Sequence, residues 1–120
     1  MLLIDTHAHL YYDNMYENLS EVLKLAESNN VKKTICIGTD LVTSLKSVEI
    51  AEQYDNVFAT VGIHPHDSKD VPKNYLQELE KLSESNKVVA IGEIGIDNYR
   101  NHSPQDIQKK VMIEQMDLAY

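Results

Sequence analysis

The sequence has one cysteine, no long apolar run and fewer basic than acidic residues. The single cysteine, Cys36, excludes an internal disulfide and lies in an apolar run, so we expect a small core residue without chemistry. No run approaches the roughly 20 apolar residues of a membrane-spanning helix, and the N-terminus lacks the basic and apolar segments of a signal peptide. These absences predict a cytoplasmic protein that does not contact a membrane.

The shortage of basic residues bears on the substrate. With 11 basic against 19 acidic residues the net charge is -8, which argues against a broad electrostatic surface for nucleic acid. A nuclease is not excluded, because divalent cations in a cleft hold phosphate oxygens locally. The length of 120 residues, with 42% hydrophobic and 25% charged residues, is typical of a globular chain and predicts a single domain over residues 1–120.

Strand-like and helical patterns alternate along the whole chain. Short apolar runs predict strands at residues 2–4, 34–37, 57–61 and 88–91, and helical spacing follows each run. Ser103 is expected to cap the last helix, with Pro104 in its first turn. Four strand–helix units with short connections predict parallel strands joined by right-handed crossovers, and the apolar runs predict burial on both faces.

Polar residues follow the carboxyl end of every predicted strand. They are Asp5, His7 and His9, then the segment 38–40, then His64 and His66, and finally Glu93 and Asp97. An open doubly wound sheet concentrates its site at one switch point, whereas a barrel uses the ends of all its strands. The pattern therefore favours an α/β fold of the (β/α)8 TIM-barrel type, with only the first four β/α units present.

Three of these residues suggest a metal site. His7 and His9 are two apart on a strand and face the same way, so both imidazoles could reach one cation. Glu93 interrupts an apolar stretch, and a metal would offset the cost of burying its carboxylate. A hydrogen-bonded histidine pair, and a salt bridge from Glu93 to Arg100 or another base, remain alternatives. Asp5 is expected to orient a metal-bound histidine.

A second group of residues is suited to phosphate. His64 and His66 flank a proline, which predicts that His64 points into the cleft and His66 lies near its rim. Either could contact phosphate or transfer a proton, or both could cap a loop and bind nothing. Arg100 suits bidentate recognition of phosphate, and an ion pair with Asp97 would explain it equally well. Tyr99 stands between these two residues in the chain.

Three segments together resemble a known family. Residues 4–10 (Ile-Asp-Thr-His-Ala-His-Leu), 61–66 (Val-Gly-Ile-His-Pro-His) and 91–97 (Ile-Gly-Glu-Ile-Gly-Ile-Asp), followed by Tyr99 and Arg100, are similar to the TatD family of metal-dependent deoxyribonucleases. The resemblance covers the whole chain. It implies a (β/α)8 barrel of the amidohydrolase-like group that binds one or two divalent cations, magnesium, manganese or zinc, and hydrolyses DNA or another phosphodiester through a metal-activated water.

The resemblance also implies a role for each matching residue. His7, His9 and Glu93 would bind metal, with Glu93 bridging two ions, and His64 would act with Glu93 in catalysis near the phosphate. Independently of the resemblance, their chemistry and position make His66, Asp97, Tyr99 and Arg100 the candidates for binding substrate. Ligands that the family takes from later strands are not found in these 120 residues. We therefore expect little nuclease activity from this polypeptide alone, and unpaired edges on the first and fourth strands that recruit the missing half of the barrel or a second copy.

Two other functions remain open at this stage. One is an amidohydrolase that acts on another ester or amide, since such barrels open with the same His-x-His. That branch often places a carbamylated lysine where this chain has Glu93, and Lys87 lies at the wrong end of the fourth strand. The other is a non-catalytic metal-binding half barrel, or a fragment that assembles with a partner.

Overall fold

One parallel sheet of four strands organises the molecule, which is described for residues 1–120 by a computed structural model. The strands are β1 (Leu3–Ala8), β2 (Val31–Ile37), β3 (Val57–Val61) and β4 (Val88–Ile91). Their spatial order is β1-β2-β3-β4, so each strand pairs with its neighbour in the chain. Sequential parallel pairing is the order of a (β/α)8 barrel, whereas a doubly wound sheet reverses its order. The predicted fold class is confirmed.

The strands are connected by helices, which follow the predicted alternation. They are α1 (Asp13–Tyr16), α2 (Leu19–Ser28), α3 (Leu41–Gln53), α4 (Tyr75–Ser83) and α5 (Gln105–Ala119), with a 3₁₀ helix at Pro65–Asp70. None of the helices combines the length and the apolar character needed to cross a bilayer. The start of α3 is fixed by a capping box, in which Asp40 Oδ1 accepts from the Thr43 N–H and Thr43 Oγ1 accepts from the Asp40 N–H.

Three local predictions are wrong at the ends of elements, and one of them is the start of β2, which begins at Val31 and not at residue 34. The first strand extends to Ala8 rather than ending at residue 4, so His7 lies within β1. Residues 5–7 are polar, so the apolar pattern used to predict strands does not include them. An edge strand with an exposed face can nevertheless contain polar residues. Ser103 does not cap α5; its hydroxyl donates to the His66 carbonyl and accepts from the Lys69 N–H. The Ser103 side chain therefore makes tertiary hydrogen bonds instead of the helix cap that the local sequence pattern predicts.

The predicted burial of every strand on both faces is wrong for the edge strands. Leu3 and Ile4 on β1 are 41% and 58% exposed, and Val89 on β4 is 51% exposed. By contrast, Val57 and Val61 on β3 are fully buried. The physical reason is that β1 and β4 each have a strand on one side only, which leaves the unpaired edges that were expected.

The hydrophobic core lies between the central strands and the helices. Leu79 of α4 and Val111 of α5 join the buried residues of β3 there. Cys36 is fully buried, as predicted, and its thiol donates to the hydroxyl of Ser47. Burial raises the pKa of this thiol, which keeps it protonated.

Lys87 secures the amino-terminal end of β3. Its Nζ donates to the carbonyls of Tyr54, Asp55 and Val57 at 3.1, 3.1 and 3.3 Å. We expect Lys87→Met to lower the free energy of unfolding by about 1–2 kcal/mol, because charged hydrogen bonds to three carbonyls are lost. Urea denaturation measures this change, with Lys46→Met on the exposed side of α3 as control. Equal stabilities of the two variants would contradict the prediction.

Candidate metal and phosphate site

Backbone hydrogen bonds bring the carboxyl ends of three strands together. The Glu93 N–H donates to the Gly38 carbonyl at 2.9 Å, which ties the segment after β4 to the end of β2. The His64 N–H donates to the Thr39 carbonyl at 2.7 Å, which ties the segment after β3 to the same place. The polar residues that follow the separate strands are therefore neighbours in space.

His7, His9 and Glu93 form a compact cluster at these strand ends. Each offers one ligand atom, and the three atoms lie within 4.8 Å of one another. His7 Nε2 lies 3.4 Å from Glu93 Oε2. Two imidazoles and a carboxylate suit zinc, manganese or iron, and three protein ligands leave an open position for water or substrate. The donor set thus fits a divalent cation. The alternative of a salt bridge from Glu93 to Arg100 is not formed, and the bases beside the carboxylate are His7 and His64.

The ring of His9 is oriented by its neighbours. Its Nδ1 lies 2.8 Å from the Tyr11 hydroxyl and 3.2 Å from the Ile37 carbonyl. Because a carbonyl only accepts, Nδ1 carries the hydrogen and Nε2 is left free for a cation. The Tyr12 ring stacks on His9, with ring centroids 5.3 Å apart. Burial raises the pKa of Tyr11, which keeps its hydroxyl protonated.

The prediction that Asp5 orients a metal-bound histidine is wrong. Asp5 Oδ1 accepts from the backbone N–H of His7 at 3.0 Å, so this carboxylate holds the strand and leaves the imidazoles alone. The orienting groups are Tyr11 and the Ile37 carbonyl, which sequence reasoning missed. The one sequence feature that could have indicated this role is a tyrosine two residues after His9. A backbone carbonyl has no sequence signature, so the contact with Ile37 could not have been predicted.

We expect Tyr11→Phe to weaken manganese or zinc binding about tenfold, because removing an outer hydrogen bond to a ligand histidine costs 10–100-fold in related sites. Tyr12→Phe is the matched control, since it keeps the ring that stacks on His9 and removes only an exposed hydroxyl. Isothermal titration calorimetry of both variants measures the difference. Identical affinities would show that the Ile37 carbonyl alone sets the ring.

His64 faces the cluster of His7, His9 and Glu93 from the end of β3. Its Nε2 lies 3.6 Å from Glu93 Oε1, and its Nδ1 accepts from the His66 N–H at 3.2 Å. Burial lowers the pKa of His64, and the nearby Glu93 carboxylate only partly opposes this. A neutral His64 whose Nδ1 accepts a hydrogen bond carries its proton on Nε2, directed toward the cleft.

Asp97 joins the segment after β4 to the segment after β3. Its Oδ2 is hydrogen-bonded to His66 Nε2, and its Oδ1 accepts from the N–H groups of Tyr99 and Arg100 at 2.7 and 3.1 Å. The bond to His66, then those to the backbone, hold the pKa of Asp97 well below its ordinary value. The Arg100 guanidinium is 4.0 Å away, so the ion pair with Asp97 is the weaker interaction.

A cleft of about 450 Å³ opens beside the metal cluster. It is lined by residues 64–66 and 93–100, which include every residue predicted to bind substrate. Tyr99 is 87% exposed at its rim, and the Arg100 side chain is mostly exposed. Lys87 lies at the opposite end of the sheet, as expected, so Glu93 is the group that occupies the end of β4.

Fold and cluster together define a class of protein: a barrel-type β/α sheet that gathers a candidate metal site at the carboxyl ends of its strands. The family model for TatD related DNase matches residues 4–120, and the chain belongs to that family.

Individual relatives agree with this assignment. The chain is 40% identical over 118 residues to the uncharacterized metal-dependent hydrolase YabD of Bacillus subtilis, covering 98% of this chain and 46% of YabD. It is 29% identical over 117 residues to the 3'-5' ssDNA/RNA exonuclease TatD of Escherichia coli, covering 98% and 45%. The crystal structure of the TatD homologue YJJV from Escherichia coli matches with a TM-score of 0.89 and 29% identity, over 98% of this chain and 46% of that one. The chain thus spans about half the length of the curated relatives it matches.

Proposed function

We propose that this chain provides the first metal site and the phosphate-binding cleft of a metal-dependent hydrolase that cleaves DNA or another phosphodiester. The single observation that carries the proposal is the placement of Glu93, which faces the His7 and His9 cluster on one side and lines the cleft on the other. A substrate phosphate in the cleft would therefore lie beside the metal ligands.

Each residue in the proposal has a defined task. His7, His9 and Glu93 hold the cation, which supplies a Lewis acid and an activated water when bound. His64 directs its Nε2–H into the cleft and donates to a phosphate oxygen. Arg100 offsets the phosphate charge, and Tyr99 offers an exposed ring on which a base stacks. His66 and Asp97 bind each other and shape the wall of the cleft.

We also propose that residues 1–120 act as one domain, the N-terminal half of a closed barrel, and that hydrolysis needs the remaining strands. The support is that TatD homologues of known structure extend to about twice the matched length, and that β1 and β4 have open edges. Sedimentation of the purified chain distinguishes this proposal from assembly with a second copy. Assembly with a second copy predicts a dimer.

The test is a two-stage titration of the chain. Manganese is added first and its binding measured by calorimetry, and then a fluorescent single-stranded oligonucleotide is added with and without manganese. We expect one manganese per chain and oligonucleotide binding that requires it, with labelled products released slowly if at all. Arg100→Ala should weaken oligonucleotide binding while leaving manganese binding unchanged, and Lys109→Ala, on the exposed side of α5, is the matched control.

Other outcomes favour the other functions. Manganese binding with no affinity for the oligonucleotide would contradict the proposal and favour a non-catalytic metal-binding module. Turnover of an amide or lactone without phosphodiester cleavage would favour an amidohydrolase. Absence of metal binding would remove the basis for all of these functions.

A further inference from the structure

Two glutamines of α5 are fully buried, and neither belongs to the metal cluster or lines the cleft. Gln108 and Gln115 have no exposed surface. They are seven residues apart, with buried Val111 between them, so they lie on one face of the helix. Burying an amide without hydrogen-bond partners is unfavourable. Both side chains have such partners, because they form hydrogen bonds with the backbone of the segments that follow β3 and β4.

Gln115 completes the hydrogen bonding of Ile63. Its Oε1 accepts from the Ile63 N–H at 2.7 Å, and its Nε2 donates to the Ile63 carbonyl at 3.2 Å and to the Val111 carbonyl at 3.2 Å. One amide side chain therefore replaces the neighbouring strand that Ile63 lacks beyond the end of β3. Because His64 is the next residue, Gln115 fixes the point at which His64 enters the cleft.

Gln108 forms hydrogen bonds with Asp97 and Ser103, two residues that bond to His66. Its Oε1 accepts from the Asp97 N–H at 2.8 Å, and its Nε2 donates to the Ser103 carbonyl at 2.7 Å. The Asp97 carboxylate bonds to the His66 ring, and the Ser103 hydroxyl donates to the His66 carbonyl at 2.7 Å. His66 is thus fixed at its ring and at its backbone through a single buried amide.

We propose that Gln115 and Gln108 are positioning residues: Gln115 sets His64 for phosphate binding, Gln108 sets His66 in the wall of the cleft that receives the phosphate, and neither glutamine touches the metal or the substrate. The inference rests on the proposed function for the role of the two histidines. Neither amide is hydrogen-bonded to a residue of the metal cluster. Loss of a glutamine should therefore affect substrate binding and spare metal binding, a separation that general destabilisation would not produce.

Two substitutions at position 115 test the proposal. Gln115→Met keeps the volume and removes the amide, and we expect hydrogen exchange at the Ile63 N–H to accelerate about tenfold or more. Manganese affinity should stay within about twofold, while affinity for a single-stranded oligonucleotide falls about tenfold. Gln77→Glu, exposed on α4, is the control and should match wild type in all three measurements.

Gln115→Glu adds a readout that packing alone would not give. At pH 8 its carboxylate keeps an acceptor for the Ile63 N–H but places its second, charged oxygen against the Ile63 and Val111 carbonyl oxygens. This repulsion should displace the side chain, so the Ile63 N–H should exchange faster than in the wild type, as in Gln115→Met. Burial and those carbonyls raise the pKa of the introduced acid, so at pH 5.5 the neutral form donates to a carbonyl as the amide does. Ile63 exchange, taken relative to wild type at the same pH, should then return to within about twofold of wild type.

A corresponding variant at position 108 tests the role of Gln108 in positioning His66. Gln108→Met should accelerate exchange at the Asp97 N–H and shift the ¹⁵N resonances of the His66 ring, while exchange at the Ile63 N–H, which Gln115 holds, stays as in the wild type.

Unchanged Ile63 exchange in Gln115→Met, or a parallel loss of manganese and oligonucleotide affinity, would overturn the proposal. If wild-type protein binds no oligonucleotide, the proposed function fails, and the pH-reversible exchange still decides whether Gln115 positions the segment.

Discussion

Glu93→Gln should weaken manganese or zinc binding by at least about 100-fold, the largest functional effect expected of any single substitution in this chain. Loss of an outer hydrogen bond to a ligand already costs 10–100-fold, and this change removes the negative charge from one of the three proposed direct ligands. The amide keeps the size of the side chain and the polar contact with the cleft, so the loss isolates the charge and the metal-binding oxygen. Calorimetric titration of the purified chain measures it.

The matched control is a histidine outside the cluster. His102→Ala removes an exposed imidazole whose ring packs against His66, and it should leave metal affinity within about twofold of wild type. His7→Ala should resemble Glu93→Gln. If Glu93→Gln binds manganese as tightly as wild type, the ion is held elsewhere and the assignment of all three ligands is wrong.

The sequence was sufficient for the parts of the site that depend on local periodicity. An extended segment that carries His7 and His9 two residues apart predicts that they share a face, and His9 directly follows the last residue of β1. Glu93 follows a strand of the same parallel sheet, and the carboxyl ends of such strands meet at one edge. The topology of a parallel sheet therefore predicts that these three residues lie together, and their ligand atoms do lie within 4.8 Å of one another.

Contacts between distant segments could not be predicted in the same way. His66 and Asp97 are 31 residues apart, and both were assigned to substrate because each is polar and follows a strand. Their mutual hydrogen bond uses Asp97 Oδ2, and two backbone N–H groups use Oδ1, so Asp97 has little capacity left for a ligand. Nothing in either local segment indicates this pairing.

Buried polar residues on helices are the second feature that could not be predicted from the sequence. Gln108 and Gln115 occupy positions that helical periodicity assigns to the apolar face of α5, and glutamine there weakened the pattern instead of strengthening it. The same reason explains Ser103, whose neighbourhood looked like a helix start. In each case a side chain satisfies backbone groups of a distant segment, which only the folded chain reveals.

Gly62→Ala should be strongly destabilising. A Cβ at position 62 would lie 2.6 Å from the carbonyl carbon of Gly92 and 2.8 Å from its oxygen. The backbone of Gly62 cannot move away freely, because its N–H donates to the Ser44 hydroxyl at 3.1 Å and its carbonyl accepts from the same hydroxyl. Overpacking against a fixed backbone costs up to about 3 kcal/mol, which corresponds to a fall in Tm of about 10 °C.

Gly92→Ala is the control for this clash, because the nearest atoms to a Cβ there are Thr60 Oγ1 at 3.9 Å and Cβ at 4.0 Å, ordinary contact distances. Thermal denaturation of the two variants should therefore separate them by several degrees, although they alter facing residues. Gly62→Ala should also weaken metal binding, since relief of the clash displaces Gly92 and with it the adjoining ligand Glu93. Equal melting temperatures would mean that the ends of β3 and β4 separate at little cost, and the close approach of these two glycines would then have no part in holding the metal cluster together.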